Sequence, residues 1–273
     1  MSTCNQIRHL FQPVQPTIQQ TEKNVEYLEF LPVINLQPYI YCYWQLKTTY
    51  KLKSSFNYKV VSDGCIDILF ELNNPEDNFV AGFCRKYTEY MLEAEFNYVG
   101  VRFLPTMFPL IFKIDASELS NKFQNLKDFV PQVSKFIANH FHPNMEVDAI
   151  KTSFDNYFID VLRQINFDFD NRLYNAIDII IKNYGALNLE KDMDVGISKR
   201  QLRRLFQFYI GDSPKTFSKV VQFQNILKAK PSNQSLKQNK LFYDIGYYDQ
   251  SHFIKDFKKF YGVTPNKAFK KKR

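Results

Sequence analysis

The chain has 273 residues, 45% of them hydrophobic, 16% aromatic and 23% charged, with a formal net charge of +8. That is material for one large domain or two ordinary ones, and no run approaches the ~20 uninterrupted apolar residues that a membrane helix needs. The charge is unevenly placed: from Arg172 onward 21 Lys/Arg face 8 Asp/Glu, whereas the first 171 residues are net acidic, which points to a polyanion-binding module joined to a domain with another task.

Residues 1–25 read as a loosely ordered lead-in. Their polar start has no apolar core of the kind a secretory signal carries, so a cytoplasmic location is expected. Cys4, Cys42, Cys65 and Cys84 lie at wide, irregular spacings, which suits reduced thiols better than a disulfide framework or zinc site. From 26 to 165 the sequence predicts a regulatory or dimerising domain, β-rich at first. In "VVSDGCIDILFELNN", Ile66, Ile68 and Phe70 share one face, with a turn signal at Asp63-Gly64 and Asp67 opposite the apolar set. In "FNYVGVRFLP", Val99, Val101 and Phe103 share one face and Tyr98 and Gly100 the other. Several such runs predict a sandwich or barrel-like sheet.

After about residue 115 the period changes. "ASELSNKFQNLKDF" and "VPQVSKFIANHF" read as short helices. "DAIKTSFDNYFIDVLRQI" sets Ile150, Phe154, Phe158, Ile159 and Leu162 at helical spacing. "NFDFDN", 166–171, is irregular, coincides with the charge change and reads as a linker. The fold class expected is α+β: a β-rich N-terminal domain with helices, then an all-α domain over 172–273.

The last hundred residues hold two similar units. In "VGISKRQLRRLFQFYIGDSPKTF", Gly196 marks a turn and Ser198 an N-cap. Leu202, Leu205, Phe206 and Tyr209 form an apolar stripe, and Arg200, Arg203, Arg204 and Gln207 face the other way, with Lys199 at the N-terminal end. Gly211 ends that helix, and Ser213-Pro214 starts another running to about 229. Some fifty residues on, Gly246 marks a turn and Asp249 caps a helix with Phe253, Phe257 and Phe260 inside. Gln250, Ser251, His252, Lys255 and Lys259 lie on or beside its outer face. A Gly-containing turn followed by a helix with one apolar and one basic face describes a helix-turn-helix, whose second helix enters the major groove of double-stranded DNA. Arginine suits guanine there, and glutamine adenine.

"GYYDQSHFIKDFKKFYGVTPNK" closely resembles the C-terminal signature of the AraC/XylS family of transcription regulators, and "GISKRQLRRLFQFYIGDSPKTF" is similar to the family's first helix-turn-helix. The resemblance, over about 187–269, implies two helix-turn-helix subdomains joined by a linker helix at about 214–229. It implies contacts to bases or nearby backbone from Arg200, Arg203 and Arg204, and from Gln250, Ser251, His252 and Lys255. It also implies RNA polymerase, a small-molecule effector and a second copy of the chain as candidate partners, with no cofactor. "SDGCIDILF" and "VGVRFLPTMFPLIFKIDASELSN" resemble, more loosely, an N-terminal domain of a subset of AraC-like regulators. The pattern is broken at Asp192 and Phe242, where the family usually has alanines that let two helices approach, and at Gln222, often arginine. Overpacking at Asp192 is expected to tilt or weaken the first unit and leave the second to dock more reliably.

Three other constellations weigh less. Asp249, Ser251 and His252 are the residue types of a hydrolytic triad, but on one helix they point in different directions, whereas a triad needs mutual hydrogen bonds. His140-x-His142 with Glu146 lacks a fourth ligand at metal-site spacing. Asp63, Asp67 and Glu71 could be paired carboxylates, but a turn and solvent-facing strand positions are expected, and Trp44 with its neighbouring tyrosines is expected to pack the core rather than line a pocket. Two alternatives to the regulator stay open: a small-molecule-binding protein or enzyme centred on the N-terminal domain, and a divergent relative that no longer reads DNA.

Overall fold

Alternating side chains fold the first half into strands: β1 (Val25–Phe30), β2 (Ile40–Thr48), β3 (Phe56–Val60), β4 (Ile66–Glu71), β5 (Asn74–Ala81), β6 (Thr88–Leu92), β7 (Asn97–Phe103) and β8 (Phe123–Asn125). The computed structural model describes residues 3–16, 24–229, 247 and 249–269. One antiparallel sheet has the order β1-β2-β7-β4-β5-β8, and β3 pairs with β6 as a separate two-stranded sheet. Ile66, Ile68 and Phe70 of β4 are buried on one face, as their alternation requires.

That face is covered by helices. Between α2 (Met107–Phe112), α3 (Ala116–Leu119), α4 (Pro131–His140) and α5 (Val147–Arg163), it is α5 that lays its aromatic stripe on the sheet. Phe154 stacks on Tyr43 at 4.9 Å between ring centroids, and Phe158 meets Phe103 edge-on at 5.7 Å. Buried Asp155 on the same helix accepts from the Tyr43 hydroxyl at 3.0 Å and the Val33 amide at 3.2 Å, so its desolvation is compensated. On the opposite face a smaller cluster includes Cys42, Trp44, Leu46 and Phe96, under Tyr58 of β3. Gly100, paired with Trp44 across β2 and β7, makes room for the indole: a Cβ there would lie 2.3–2.6 Å from its ring atoms.

The C-terminal third is helical: α6 (Asn171–Lys182), α7 (Lys199–Ile210), α8 (Pro214–Ala229), α9 (Gln250–Tyr261) and α10 (Pro265–Ala268). Helix α8 is buried on almost every side, with Phe217, Val220, Val221, Phe223, Ile226 and Leu227 all in the core. A single hydrophobic cluster runs from the sheet through α2 and α6 into α7, α8 and α9.

Several sequence expectations need correction. Part of the lead-in is ordered: α1 (Thr3–Leu10) precedes Phe11, and Ile7 and Phe11 are buried in the main cluster. The stretch 116–129, read as helical, gives the one-turn α3 and a 3-10 turn at Leu126–Asp128, and between them Phe123–Asn125 adds an edge strand to β5. Residues 166–170 are irregular but docked, and Asn171 already belongs to α6: Phe167 stacks on Tyr39 at 4.9 Å and Asp170 caps α6. Before α7 there is no regular helix, only a turn closed by Asp192 N–H to Asn188 O at 2.8 Å. Asp192 is exposed, and its carboxylate accepts from the Asn188 amide at 2.8 Å. The larger side chain thus points away from the helix contact, and the expected overpacking does not arise. Phe242 and Gly246 lie outside the described residues.

Gly100→Ala is expected to destabilise the chain by roughly 1–3 kcal/mol, the usual cost of overpacking, read as a lowered urea midpoint. An unchanged midpoint would mean that the indole can move aside.

Candidate functional site

Helix α7 is fixed at both ends and along one side. Ser198 accepts from the Gln201 amide at 3.2 Å while the Gln201 side chain accepts from the Ser198 amide at 3.1 Å, a complete capping box. Gly211 ends the helix at φ 96°, a left-handed conformation that favours glycine. Leu202, Phe206 and Ile210 are buried, with Leu205 and Tyr209 half-buried. The remaining side presents Lys199, Arg200, Arg203, Arg204 and Gln207, all exposed. Arg204 and Gln207 border a groove whose other wall is Asp115 and Ser117, at the start of α3.

Helix α9 repeats the construction. Asp249 Oδ1 accepts from the His252 amide at 2.8 Å, and Phe253, Phe257 and Phe260 are buried, with Phe257 and Phe260 packing against Phe223 of α8 at 5.6 and 5.3 Å. Gln250, Ser251, His252, Lys255 and Lys259 are exposed. Lys219 of α8 reaches the buried Asp256 at 2.9 Å, tying the two helices further. The triad residue types are engaged otherwise: Asp249 is the cap, and His252 Nε2 lies 3.6 Å from Asp256. His140 and His142 are exposed with Nδ1 against backbone carbonyls, and no metal-holding group of three His, Cys, Asp or Glu occurs among the described residues.

One segment of the N-terminal domain, residues 85–87, touches the ends of both helices. Arg85 pairs with Asp212, just past the end of α7. Two residues on, the Tyr87 amide donates to the Lys259 carbonyl near the end of α9 at 3.2 Å. A third link joins α8: Gln224 donates to the Ser62 carbonyl at 2.7 Å and accepts from the Val14 amide at 2.7 Å. Sequence reasoning singled out Lys259 for its outer face but none of these links, because each partner lies far away in the chain.

The family described as a helix-turn-helix domain matches residues 194–271, and one described as a domain of unknown function (DUF6597) matches residues 28–125. The C-terminal third is an AraC-type, DNA-binding helix-turn-helix domain. That family is not one of enzymes. Among solved structures, ToxT from Vibrio cholerae O395 is similar at 17% identity, covering 90% of this chain and 95% of that one, with a TM-score of 0.39. An apo variant of ToxT from Vibrio cholerae strain SCE256 is similar at 15% identity over 83% and 96%, with a TM-score of 0.40. Likeness at that level does not reach individual residues. No curated protein matches the chain.

Beside the AraC-type domain, the N-terminal domain holds a cavity of about 250 Å³ between the large sheet and the β3–β6 pair. Trp44, Tyr58, Leu69, Phe79, Tyr90 and Phe123 line its walls, and Asp63, Asp67 and Arg102 its polar end. Trp44 therefore both packs the small core and faces a pocket. Asp63 and Asp67, expected at a turn and facing solvent, are instead drawn inward by Arg102, which is only 2% exposed. Asp67 and Arg102 are direct cross-strand partners on β4 and β7, bonded from Nη2 at 2.9 Å and from Nε at 3.2 Å. Asp63 lies 3.4 Å from Nε. Burial opposes the guanidinium's charge, but the neighbouring carboxylates outweigh it and hold Arg102 protonated. Burial also pushes the Asp67 carboxyl up to about 6, against the pull of Arg102.

A carboxyl raised in the folded state stabilises the fold at low pH and loses that contribution as pH rises through its folded value. Relative to Asp67→Asn, the wild type is expected to lose on the order of 3 kcal/mol between about pH 4 and pH 6. Denaturant unfolding of both proteins at four pH values across that window measures this, and parallel curves would mean that Asp67 ionises freely.

Proposed function

We propose that the chain is a sequence-specific transcription regulator in which α7 and α9 read successive major-groove segments of double-stranded DNA. The cavity of its N-terminal domain receives a small-molecule effector that governs them. The observation that carries the first part is the shared construction of the two helices. Each is capped, each buries an apolar stripe on α8 or its surroundings, and each leaves basic and amide side chains free on its outer face. Arg200, Arg203 and Arg204 on α7, and Gln250, Ser251, His252 and Lys255 on α9, are the residues assigned to base edges or adjoining phosphates. Lys199, Gln207 and Lys259 flank them. Backbone contacts supply affinity and salt dependence, and base contacts supply sequence preference.

The regulatory part is supported by what flanks residues 85–87. Gly82 and Cys84 precede them and Tyr90, Met91 and Leu92 follow, and all five line the cavity. The segment that touches the ends of both reading helices is thus continuous with the cavity wall on both sides. The separation of two rigid helices decides which half-site spacing they accept. A change in the cavity has a short covalent path to that separation.

Selection from random duplex DNA by the full chain at ~150 mM salt is expected to enrich two elements roughly 34 Å, one helical turn, apart. No enriched sequence would overturn the reading. Arg203→Ala is expected to cost about 1–3 kcal/mol of specific affinity if it meets a base edge. If it meets a phosphate, it should weaken all sequences alike and lower the salt slope by about 1.

Arg85→Ala is expected to leave single-element binding unchanged and to relax the preference for one spacing over spacings longer or shorter by a base pair. Competition binding with duplexes of graded spacing reads this directly. An unaltered preference would remove residues 85–87 from the regulatory path.

A further inference from the structure

The chemistry of the cavity's polar end limits what can bind there. Three charged groups line it, Asp63 before β4, Asp67 on β4 and Arg102 on β7, and Glu29 on β1 pairs with Arg102 from outside the lining. Each guanidinium nitrogen of Arg102 is already directed at a carboxylate: Nε and Nη2 at Asp67, 3.2 and 2.9 Å, and Nη1 at Glu29, 3.5 Å. The indole N–H of Trp44 is directed at Asp67 too, at 3.1 Å, and the Gln15 amide at Asp63, at 2.7 Å. The donors at this end are therefore engaged. Three carboxylates against one guanidinium leave an excess of negative charge and of hydrogen-bond acceptors. Tyr58, Tyr90 and Tyr98 also line the cavity. Tyr58 is only 8% exposed, and its hydroxyl can accept as well as donate.

A carboxylate or phosphate ligand would meet net negative charge there, whereas a cation would meet charge, acceptors and aromatic faces together. We infer that the cavity takes a compact organic cation, an ammonium or amidinium group on a small apolar body. The cationic group sits against Asp63, Asp67 and the Tyr58 oxygen, and the body against Leu69, Tyr90 and Phe123. At about 250 Å³ the cavity holds a body of roughly eight to ten non-hydrogen atoms, taking the ~30 Å³ share of a water as the measure. The upward shift of Asp67 to about 6 agrees: its charge is incompletely met within the protein. This inference rests on the cavity being an effector site, and it names the class of effector.

The test uses three probes on one scaffold, 2-phenylethylamine, 2-phenylethanol and phenylacetate, added to the full chain at about pH 7.5 and ~150 mM salt. Thermal melting and calorimetric titration read binding without DNA. The amine is expected to raise the melting temperature and bind at one site at least ~10-fold more tightly than the alcohol, with no response to the carboxylate. Tyr58→Phe, which keeps the ring and its packing, is expected to weaken the amine by ~3–10-fold. Ala81→Leu, which fills part of the cavity, is expected to abolish amine binding while the chain still melts cooperatively. A stronger response to phenylacetate, no response to the amine up to ~10 mM, or an amine response that survives Ala81→Leu would each overturn the inference. DNA selection is scored separately. Amine binding without an enriched DNA sequence leaves this assignment standing and removes the regulator; an enriched sequence with no amine binding does the reverse.

Discussion

A guanidinium sealed inside a protein keeps its charge only where acids are sealed in with it. Arg102 imposes that condition on the N-terminal domain. It draws Asp67 from the neighbouring strand, Asp63 from the turn before it and Glu29 from the sheet's far edge. Three strands and one turn are thereby held around a single cationic group, and the space above it becomes a cavity with a defined polar end. All three acids share the one guanidinium, so the cluster acts as a unit. The neighbouring Gly100 belongs to the same arrangement, since the indole that bonds Asp67 lies over it.

The cluster also reaches the AraC-type domain. Asp63 accepts from Gln15, whose own carbonyl oxygen accepts the Val61 amide at 3.0 Å. The adjacent Ser62 carbonyl accepts from Gln224 in the middle of α8. Gln224 is 2% exposed, and a buried amide is costly unless both its ends are bonded. Its bonds to Val14 and Ser62 therefore fix α8 against two separate stretches of the N-terminal domain. With Arg85 and Tyr87 at the ends of α7 and α9, the domain touches all three of these helices. Because the core is continuous across this junction, a displacement on one side is passed on rather than absorbed.

Helices α7 and α9 owe their definition to local rules. A cap that satisfies orphan amides, an apolar stripe and a left-handed terminal glycine settle where each begins, which way it faces and where it stops. Those features lie within a dozen residues of one another, and they fold as the residue pattern dictates. The stretch between α6 and α7 is a different case. Asn188 and Asp192 bond each other's backbone and side chain, and short polar residues of this kind compete with helical hydrogen bonding. A turn results.

By itself the sequence determined the α+β division, the apolar face of β4, the span of α8, and the ends and exposed faces of α7 and α9, because all of these follow from periodicity and capping within short windows. The tertiary structure decided what Arg102, Asp63 and Asp67 do. Alternation placed Asp67 opposite Ile66 and Ile68, and the same rule sets Arg102 opposite Val101 and Phe103, but whether such positions meet solvent or each other depends on strand register and on the β3–β6 pair that covers them. The same holds for Arg85, Tyr87 and Gln224, whose partners lie more than a hundred residues away. A strand pattern fixes which face a side chain takes; only packing between distant segments fixes what that face meets.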